Sequence, residues 1–120
     1  MERNNISDIS SLERVKFEKI ENLSLSKNKI SNIEVLSKVN FMKLKKLDLN
    51  NNLISKINVL ENVKFKEIEE LELGNNKISD IKVFRRVTFP KLEKLNLSNN
   101  KISDKNELNR IMQNIYEIDY

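Results

Sequence analysis

A repeat of constant period limits the folds open to this sequence. The stretches LSLSKNKIS, LDLNNNLIS, LELGNNKIS and LNLSNNKIS begin at Leu23, Leu47, Leu71 and Leu95, so each lies 24 residues after the last. A unit of this length is too small to bury its own apolar side, and it is stable only when stacked on its neighbours. The period therefore predicts a stack of coils rather than a fold around one central core.

The repeat extends over nearly the whole chain. Full units begin at Phe17, Phe41, Phe65 and Phe89, NNISDISSLERVK before them matches the second half of a unit, and IYEIDY after them opens another. This predicts a single domain over residues 1–120, with four full repeats and partial repeats at both ends. Terminal repeats normally carry polar caps. Because neither end shows one, we expect part of a longer chain or end-to-end contacts.

Each unit changes its apolar period partway along. In residues 47–49 the apolar side chains alternate with period two, which predicts a short strand with one face inward. The apolar residues Ile33, Leu36 and Val39 are then spaced by three, which predicts a short 3₁₀ or α turn. Serines just before these turns are predicted to cap free N–H groups: Ser31, Ser55, Ser79 and Ser103.

The last unit departs from this scheme. Lys105 and Glu107 stand where the other turns carry Ile and Val. The segment DKNELNRIMQNI instead predicts an α-helix, and Asp104 with Glu107 has the spacing of a capping box. The apolar face of that helix is predicted to contain Leu108, Ile111, Met112 and Ile115.

An asparagine recurs in every unit where the strand ends and the chain bends inward. An unpaired backbone group buried at such a bend costs about 1–3 kcal/mol, and an amide side chain offers both donors and an acceptor. Recurrence in every coil favours a structural role over ligand contact. The predicted structural column is Asn28, Asn52, Asn76 and Asn100.

Each unit contains the motif L-x-x-L-x-L-x-x-N-x-I, with Ile allowed at the first position. The copies span residues 20–30, 44–54, 68–78 and 92–102. This pattern resembles the leucine-rich-repeat family, with short, cytoplasmic-type repeats of 24 residues. The resemblance implies an α/β solenoid with a parallel sheet on its concave face and short 3₁₀ or α turns on its convex face. It also implies a protein-interaction module that docks a partner protein, while a structural spacer without a ligand of its own remains the alternative.

Residues between the strand leucines are expected to point out of the concave face. The resulting candidates for partner contact are Lys46, Asp48, Asn50, Glu70, Glu72, Lys94 and Asn96. Neighbouring strands lie about 4.8 Å apart. Lys46, Glu70 and Lys94 could therefore pair with one another across strands, as could Glu21 and Lys45, and so have a purely structural role. Asp48 beside Glu72 places like charges together and is the strongest candidate contact.

Composition argues against several other functions. The chain has no His and no Cys, which excludes Ser-His and Cys-His nucleophiles, and a single Gly rules out a Gly-rich phosphate loop. We expect no catalytic site, no cofactor and no metal. A column of basic residues is interleaved with glutamates and lacks stacking aromatics, and no apolar run approaches a membrane span. We therefore expect no nucleic acid, no membrane and a cytoplasmic location.

Overall fold

The computed structural model describes residues 4–112, 115 and 117–120. Its strands are β1 (Asn22–Ser24), β2 (Lys46–Asp48), β3 (Glu70–Glu72), β4 (Lys94–Asn96) and β5 (Glu117–Asp119). The 3₁₀ turns are η1 (Ser10–Arg14), η2 (Glu34–Lys38), η3 (Asn58–Asn62) and η4 (Lys82–Arg85), and the helix is α1 (Lys105–Met112). Each strand alternates with a turn or with α1, as the change of apolar period predicts.

The strands form one parallel sheet in chain order, β1-β2-β3-β4-β5. Leu47 pairs with Leu71 and Leu71 with Leu95, so each coil advances the chain by one strand. The last step pairs Leu95 with Ile118 and is therefore one residue shorter, which accommodates the unit that contains α1. This order and register confirm the α/β solenoid.

The core lies between the sheet and the turns. Leu25, Leu49, Leu73 and Leu97 are 0–1% exposed and face buried turn residues such as Leu36 and Leu60. A second column runs beside them, in which the rings of Phe17, Phe41, Phe65 and Phe89 follow one another with centroids 5.6, 5.7 and 5.6 Å apart. Tilted rings at this distance add favourable contact beyond their buried area. Each coil therefore contributes one aromatic and several aliphatic side chains to a shared core.

Asx side chains, not serines, accept the amide hydrogen bonds at three of the turns. Asn32 Oδ1 accepts from the amide of Glu34 and Asp80 Oδ1 from that of Lys82, each at 2.9 Å, and Asp8 does the same at η1. These residues follow the serines by one position, and η3 has no side-chain cap. The serine caps were wrong: at η2 and η4 the Asx side chain after the serine reaches the amide two residues on, and at η3, where Lys56 follows Ser55, no side chain caps the turn.

The residue before each column asparagine has a left-handed backbone. The φ angles are 58° at Lys27, 60° at Asn51, 54° at Asn75 and 53° at Asn99. Asn tolerates this region because its short polar side chain can hydrogen bond to the nearby backbone, whereas a long side chain such as that of Lys lacks this compensation and is strained there. The conformation explains why three of the four units carry an Asn-Asn doublet.

The helix α1 docks through a buried charge. Asp104 Oδ1 accepts from the Glu107 amide at 3.1 Å, which is the N-cap half of a capping box. The reciprocal half is wrong, because the Glu107 carboxylate is 2% exposed and accepts from the Arg85 guanidinium of the preceding coil through both Nε and Nη2. Leu108 and Ile111 are buried as predicted; the Met112 side chain lies outside the described residues, and Ile115 follows the end of the helix.

We expect Lys27→Asn to raise the free energy of unfolding by about 0.5–1 kcal/mol, because Asn removes part of the strain of a left-handed lysine. Urea unfolding followed by far-UV circular dichroism measures the change. Lys29→Asn, which removes the same charge two residues along, is the control. Equal effects of the two substitutions would contradict the conformational explanation.

Removal of Arg85 is expected to cost more than removal of Glu107. In Arg85→Ala the buried Glu107 carboxylate loses both hydrogen-bond donors and keeps only Arg110, whose Nη1 lies 4.0 Å away, so the variant is expected to be clearly less stable than wild type. In Glu107→Val the apolar residue of the equivalent Val83 position is restored and the half-exposed Arg85 returns to water, so stability changes little. Chemical denaturation of both variants tests this order, and a larger loss in Glu107→Val would refute it.

Candidate functional site: the sheet face

The outward side chains of the five strands form one surface, here called the sheet face. Strand register places them in columns across neighbouring strands, about 4.8 Å apart. The first column is Asn22, Lys46, Glu70, Lys94 and Glu117, and the second is Ser24, Asp48, Glu72, Asn96 and Asp119. Just beyond the strands, the third is Ser26, Asn50, Gly74 and Ser98. The surface is polar throughout.

Glu72 lies at the centre of this face and is 6% exposed. Its Oε2 accepts from Asn96 Nδ2 at 2.8 Å and from Asn50 Nδ2 at 3.1 Å, while Lys94 Nζ lies 3.4 Å from Oε1. Asp48 lies opposite it in register, and its Oδ1 accepts from the Asn50 amide at 2.9 Å. The carboxylates of Asp48 and Glu72 can lie side by side because Glu72, the buried one, is surrounded by Asn50, Asn96 and Lys94 of the neighbouring coils.

Gly74 leaves the space that these contacts need. Its amide donates to Asn50 Oδ1 at 2.6 Å. A Cβ at this position would lie 3.0 Å from the side-chain amide of Asn96 and from Ser98 Oγ. The residue therefore admits two asparagine side chains to the Glu72 carboxylate, a role that sequence reasoning missed although Gly74 is the only glycine in the chain.

The cluster shifts two pKa values in opposite directions. Burial acts to raise the pKa of Glu72, but the hydrogen bonds from Asn96 and Asn50 and the contact with Lys94 outweigh it and hold that pKa below the ordinary value. The charge of Glu72 and its hydrogen bond raise the pKa of Lys94, with smaller effects of Glu117 and Glu70. Both groups are therefore charged at neutral pH.

Ion pairs between coils use the remaining lysines of the face. Lys46 Nζ lies 3.1 Å from Glu70 Oε2, and Lys45 Nζ lies 3.5 Å from Glu21 Oε1, as the alternating charges predict. These side chains are 40–56% exposed, so each pair contributes little to stability. Lys94 approaches Glu72 of the second column rather than a carboxylate of its own column.

The column asparagines join successive coils. Asn52 Nδ2 donates to the carbonyls of Leu49 in its own coil and Leu25 in the preceding one, at 3.1 and 3.0 Å. Its Oδ1 accepts from the Ile30 amide at 3.0 Å. Asn76 and Asn100 make the same contacts one and two coils further on, and Asn28 bonds Leu25 and Ile6. Each amide thus satisfies backbone groups that the bend would leave unpaired.

The structure brings all seven predicted contact residues onto the sheet face. Six of them are half-buried, whereas Glu72 is enclosed by its neighbours and presents little surface. Within residues 4–112, 115 and 117–120, no three His, Cys, Asp or Glu side chains are grouped to hold a metal ion. In the same part of the chain, no helix is long and apolar enough to cross a membrane. The sheet face is therefore a continuous polar surface on which one carboxylate, that of Glu72, is buried.

Known proteins share both the repeat and the fold. The family model described as leucine-rich repeats, in two copies, matches residues 66–110. Internalin C2 of Listeria monocytogenes is 28% identical with a TM-score of 0.75, over 95% of this chain and 46% of that one. A leucine-rich-repeat protein of Leptospira interrogans is 27% identical with a TM-score of 0.67, over 84% and 25%.

A third solved structure is related in fold alone. A chain of the Drosophila melanogaster SNF/U2A′ complex is 23% identical with a TM-score of 0.74, over 100% of this chain and 70% of that one. Comparison with curated proteins gives no significant sequence match. The chain therefore spans less than half the length of the two bacterial proteins that it resembles.

Glu72→Gln is expected to lower the free energy of unfolding at pH 7 by about 1–2 kcal/mol, because the neutral amide lacks the charge that strengthens the asparagine hydrogen bonds and presents either its NH2 group or a weaker acceptor to Lys94. The folded pKa of Glu72 lies below that of an ordinary glutamate, so its contribution is complete above the ordinary pKa and is lost as pH falls through the folded pKa. The difference between wild type and variant should shrink accordingly.

Urea unfolding at a series of pH values from about 7 to about 3 measures this difference. Glu34→Gln, on the exposed side of η2, is the matched control and should leave the free energy of unfolding nearly unchanged. A gap between wild type and Glu72→Gln that stays constant down to the lowest pH would count against the role of the charge.

Proposed function

We propose that this chain, which resembles leucine-rich-repeat proteins in its repeat and its solenoid fold, is a protein-interaction module whose sheet face docks a partner protein. Solenoids of this kind are typical binding scaffolds, because their repeats build an extended surface from equivalent positions. The observation that carries the proposal is the continuous register of the outward columns across all five strands. Lys46, Asp48, Asn50, Glu70, Lys94 and Asn96 are the proposed contacts.

The platform under this surface supports recognition rather than catalysis. Leucines directly beneath the face are fully buried, and the asparagine amides join each coil to the next. Outward side chains on such a platform hold fixed relative positions, which lowers the ordering cost of binding. We assign no enzymatic activity, because the chain has no His and no Cys and its carboxylates lie on an open surface.

The size of the face sets an expectation for affinity. Five strands about 4.8 Å apart span roughly 20 Å, and each exposes a length of about 10 Å. The area is a few hundred Å², against about 800 Å² that each partner contributes to a standard interface. Binding through this face alone should therefore be weak and rapidly reversible.

A charge swap tests the proposal without breaking the fold. In Lys46→Glu with Glu70→Lys the ion pair between β2 and β3 is kept, but the charges shown to a partner are exchanged. We expect this variant to unfold at the same urea concentration as wild type and to lose capture of the native partner from cell extract. Capture by the immobilised chain is read by mass spectrometry of the retained proteins.

The matched control is the same exchange on the turn side of the solenoid. In the wild type, Arg86 Nε lies 3.3 Å from Glu61 Oε1, between η3 and the residue after η4. Glu61→Arg with Arg86→Glu exchanges the charges of this pair, and this variant should still capture the partner. If both swaps leave capture unchanged, the spacer role is favoured, since a spacer uses neither surface. Loss of capture in the control alone would move the binding site off the sheet face.

A further inference from the structure

Charge is divided unevenly between the sheet face and the rest of the molecule. The chain has a net charge of +4. Positions 21–24, 45–48, 69–72, 93–96 and 117–119 nevertheless carry eight carboxylates and only three lysines. The strands and the residues that open them are therefore acidic, although the protein as a whole is basic.

The three lysines of this region balance three of its eight carboxylates, which leaves an excess of five negative charges. Each lies within 3.5 Å of a carboxylate of the same face, on Glu21, Glu70 or Glu72. Toward the β4–β5 end, Glu117 and Asp119 of the sheet face and Glu93, directly before β4, are exposed, and among the described residues none of them forms an ion pair. This end of the face therefore presents carboxylates that intramolecular pairs do not use.

The opposite charge lies where the strands end. The loops 26–29, 50–53, 74–77 and 98–101 contain no carboxylate and carry four exposed lysines, Lys27, Lys29, Lys77 and Lys101. None of these lysines forms an ion pair within the part of the chain that the structure describes. Leu53, 41% exposed, occupies the same position in its coil as Lys29 and Lys77 do in theirs. These loops are here called the lysine edge.

Backbone hydrogen bonds fix the spacing of the lysine edge. The amides of Lys29, Leu53, Lys77 and Lys101 each donate to a carbonyl of the preceding coil at 2.8 Å. The edge therefore repeats with the period of the sheet, about 4.8 Å per coil. Lys77 and Lys101 therefore lie one coil apart, as β4 and β5 do, whereas loop 50–53 contributes no lysine.

We propose that the sheet face of one copy of this chain docks on the lysine edge of a second copy. The occupant follows from charge complementarity within the chain itself, since the face carries an excess of carboxylates and the edge carries only lysines. Glu93, Glu117 and Asp119 of one copy meet Lys77 and Lys101 of the other, with Leu53 adding apolar contact and Lys29 extending the cationic edge beyond it.

The contact joins two different surfaces and is therefore heterologous. One copy keeps its edge free and the other keeps its face free, so association does not close at a dimer. Exposed charge pairs are screened by salt within about 10 Å at about 0.1 M ionic strength. The self-association is accordingly weak, concentration-dependent and lost at high salt. It uses the face assigned above to partner binding, so a partner protein and a second copy compete for it.

Sedimentation equilibrium at about 50 mM and about 500 mM salt tests the contact over a range of protein concentrations. The face variant is Glu93→Gln with Glu117→Gln and Asp119→Asn, and the edge variant is Lys29→Gln with Lys77→Gln and Lys101→Gln. Wild type should associate at low salt, and the apparent dissociation constant should rise about tenfold or more in each variant. A mixture of the two variants should stop at a one-to-one dimer.

Matched controls keep the net charge of each variant but change it elsewhere. The control for the face variant replaces three other glutamates by Gln, at Glu13, Glu18 and Glu34. The control for the edge variant replaces three other lysines by Gln, at Lys16, Lys38 and Lys105. All six side chains are exposed. Monomeric wild type at low salt, or equal loss of association in the controls, would overturn the proposal. Either result leaves the partner-capture experiment unaffected, so the two proposals fail separately.

Discussion

The hydrogen bonds of the asparagine amides are the interaction on which the rest of the structure depends. Each coil must leave its strand and turn inward, and the backbone groups at that bend lie away from water. The side chains of Asn52 and Asn76 bond carbonyls of two successive coils and accept from an amide of the preceding one. Without them each coil would bury unpaired groups at a cost of about 1–3 kcal/mol apiece.

Stacking then decides which charges the sheet face displays. Lys46 and Glu70 are joined across β2 and β3, and Glu72 is enclosed by Asn50, Asn96 and Lys94. These contacts stabilise the sheet and leave fewer groups for a partner. What remains at the β4–β5 end is acidic, and the loops that follow the strands are basic. The side chains left for an external contact are therefore those that do not pair with neighbouring coils.

The terminal helix shows how a single unit departs from the repeat without breaking it. Glu107 takes the place of the buried Val83, and a lone carboxylate there would be strongly unfavourable. Arg85 of the preceding coil supplies two donors from a half-exposed position, so the charge is buried with its partner. Because the pair depends on one orientation of the guanidinium, it specifies how α1 docks on η4 more than it adds to stability.

The fold could be predicted from the sequence because its causes are local and repeated. Alternating leucines predict the strands, spacing of three predicts the turns, and the period of 24 residues predicts their parallel order. Predictions of individual hydrogen bonds were wrong where a backbone amide or a carboxylate has more than one possible partner. The amides at η2 and η4 bond Asn32 and Asp80 rather than the preceding serines, and Glu107 bonds Arg85 rather than its own helix end.

The sequence by itself determined the architecture, since period and apolar spacing leave few other ways to bury these side chains. Only the tertiary structure decided the character of the face. The spacing placed Asp48 beside Glu72 and marked an exposed acidic pair, but burial of a carboxylate depends on which neighbours reach it. Gly74 leaves room for Asn50 and Asn96 to close over Glu72, and that room exists only once the third and fourth coils are stacked.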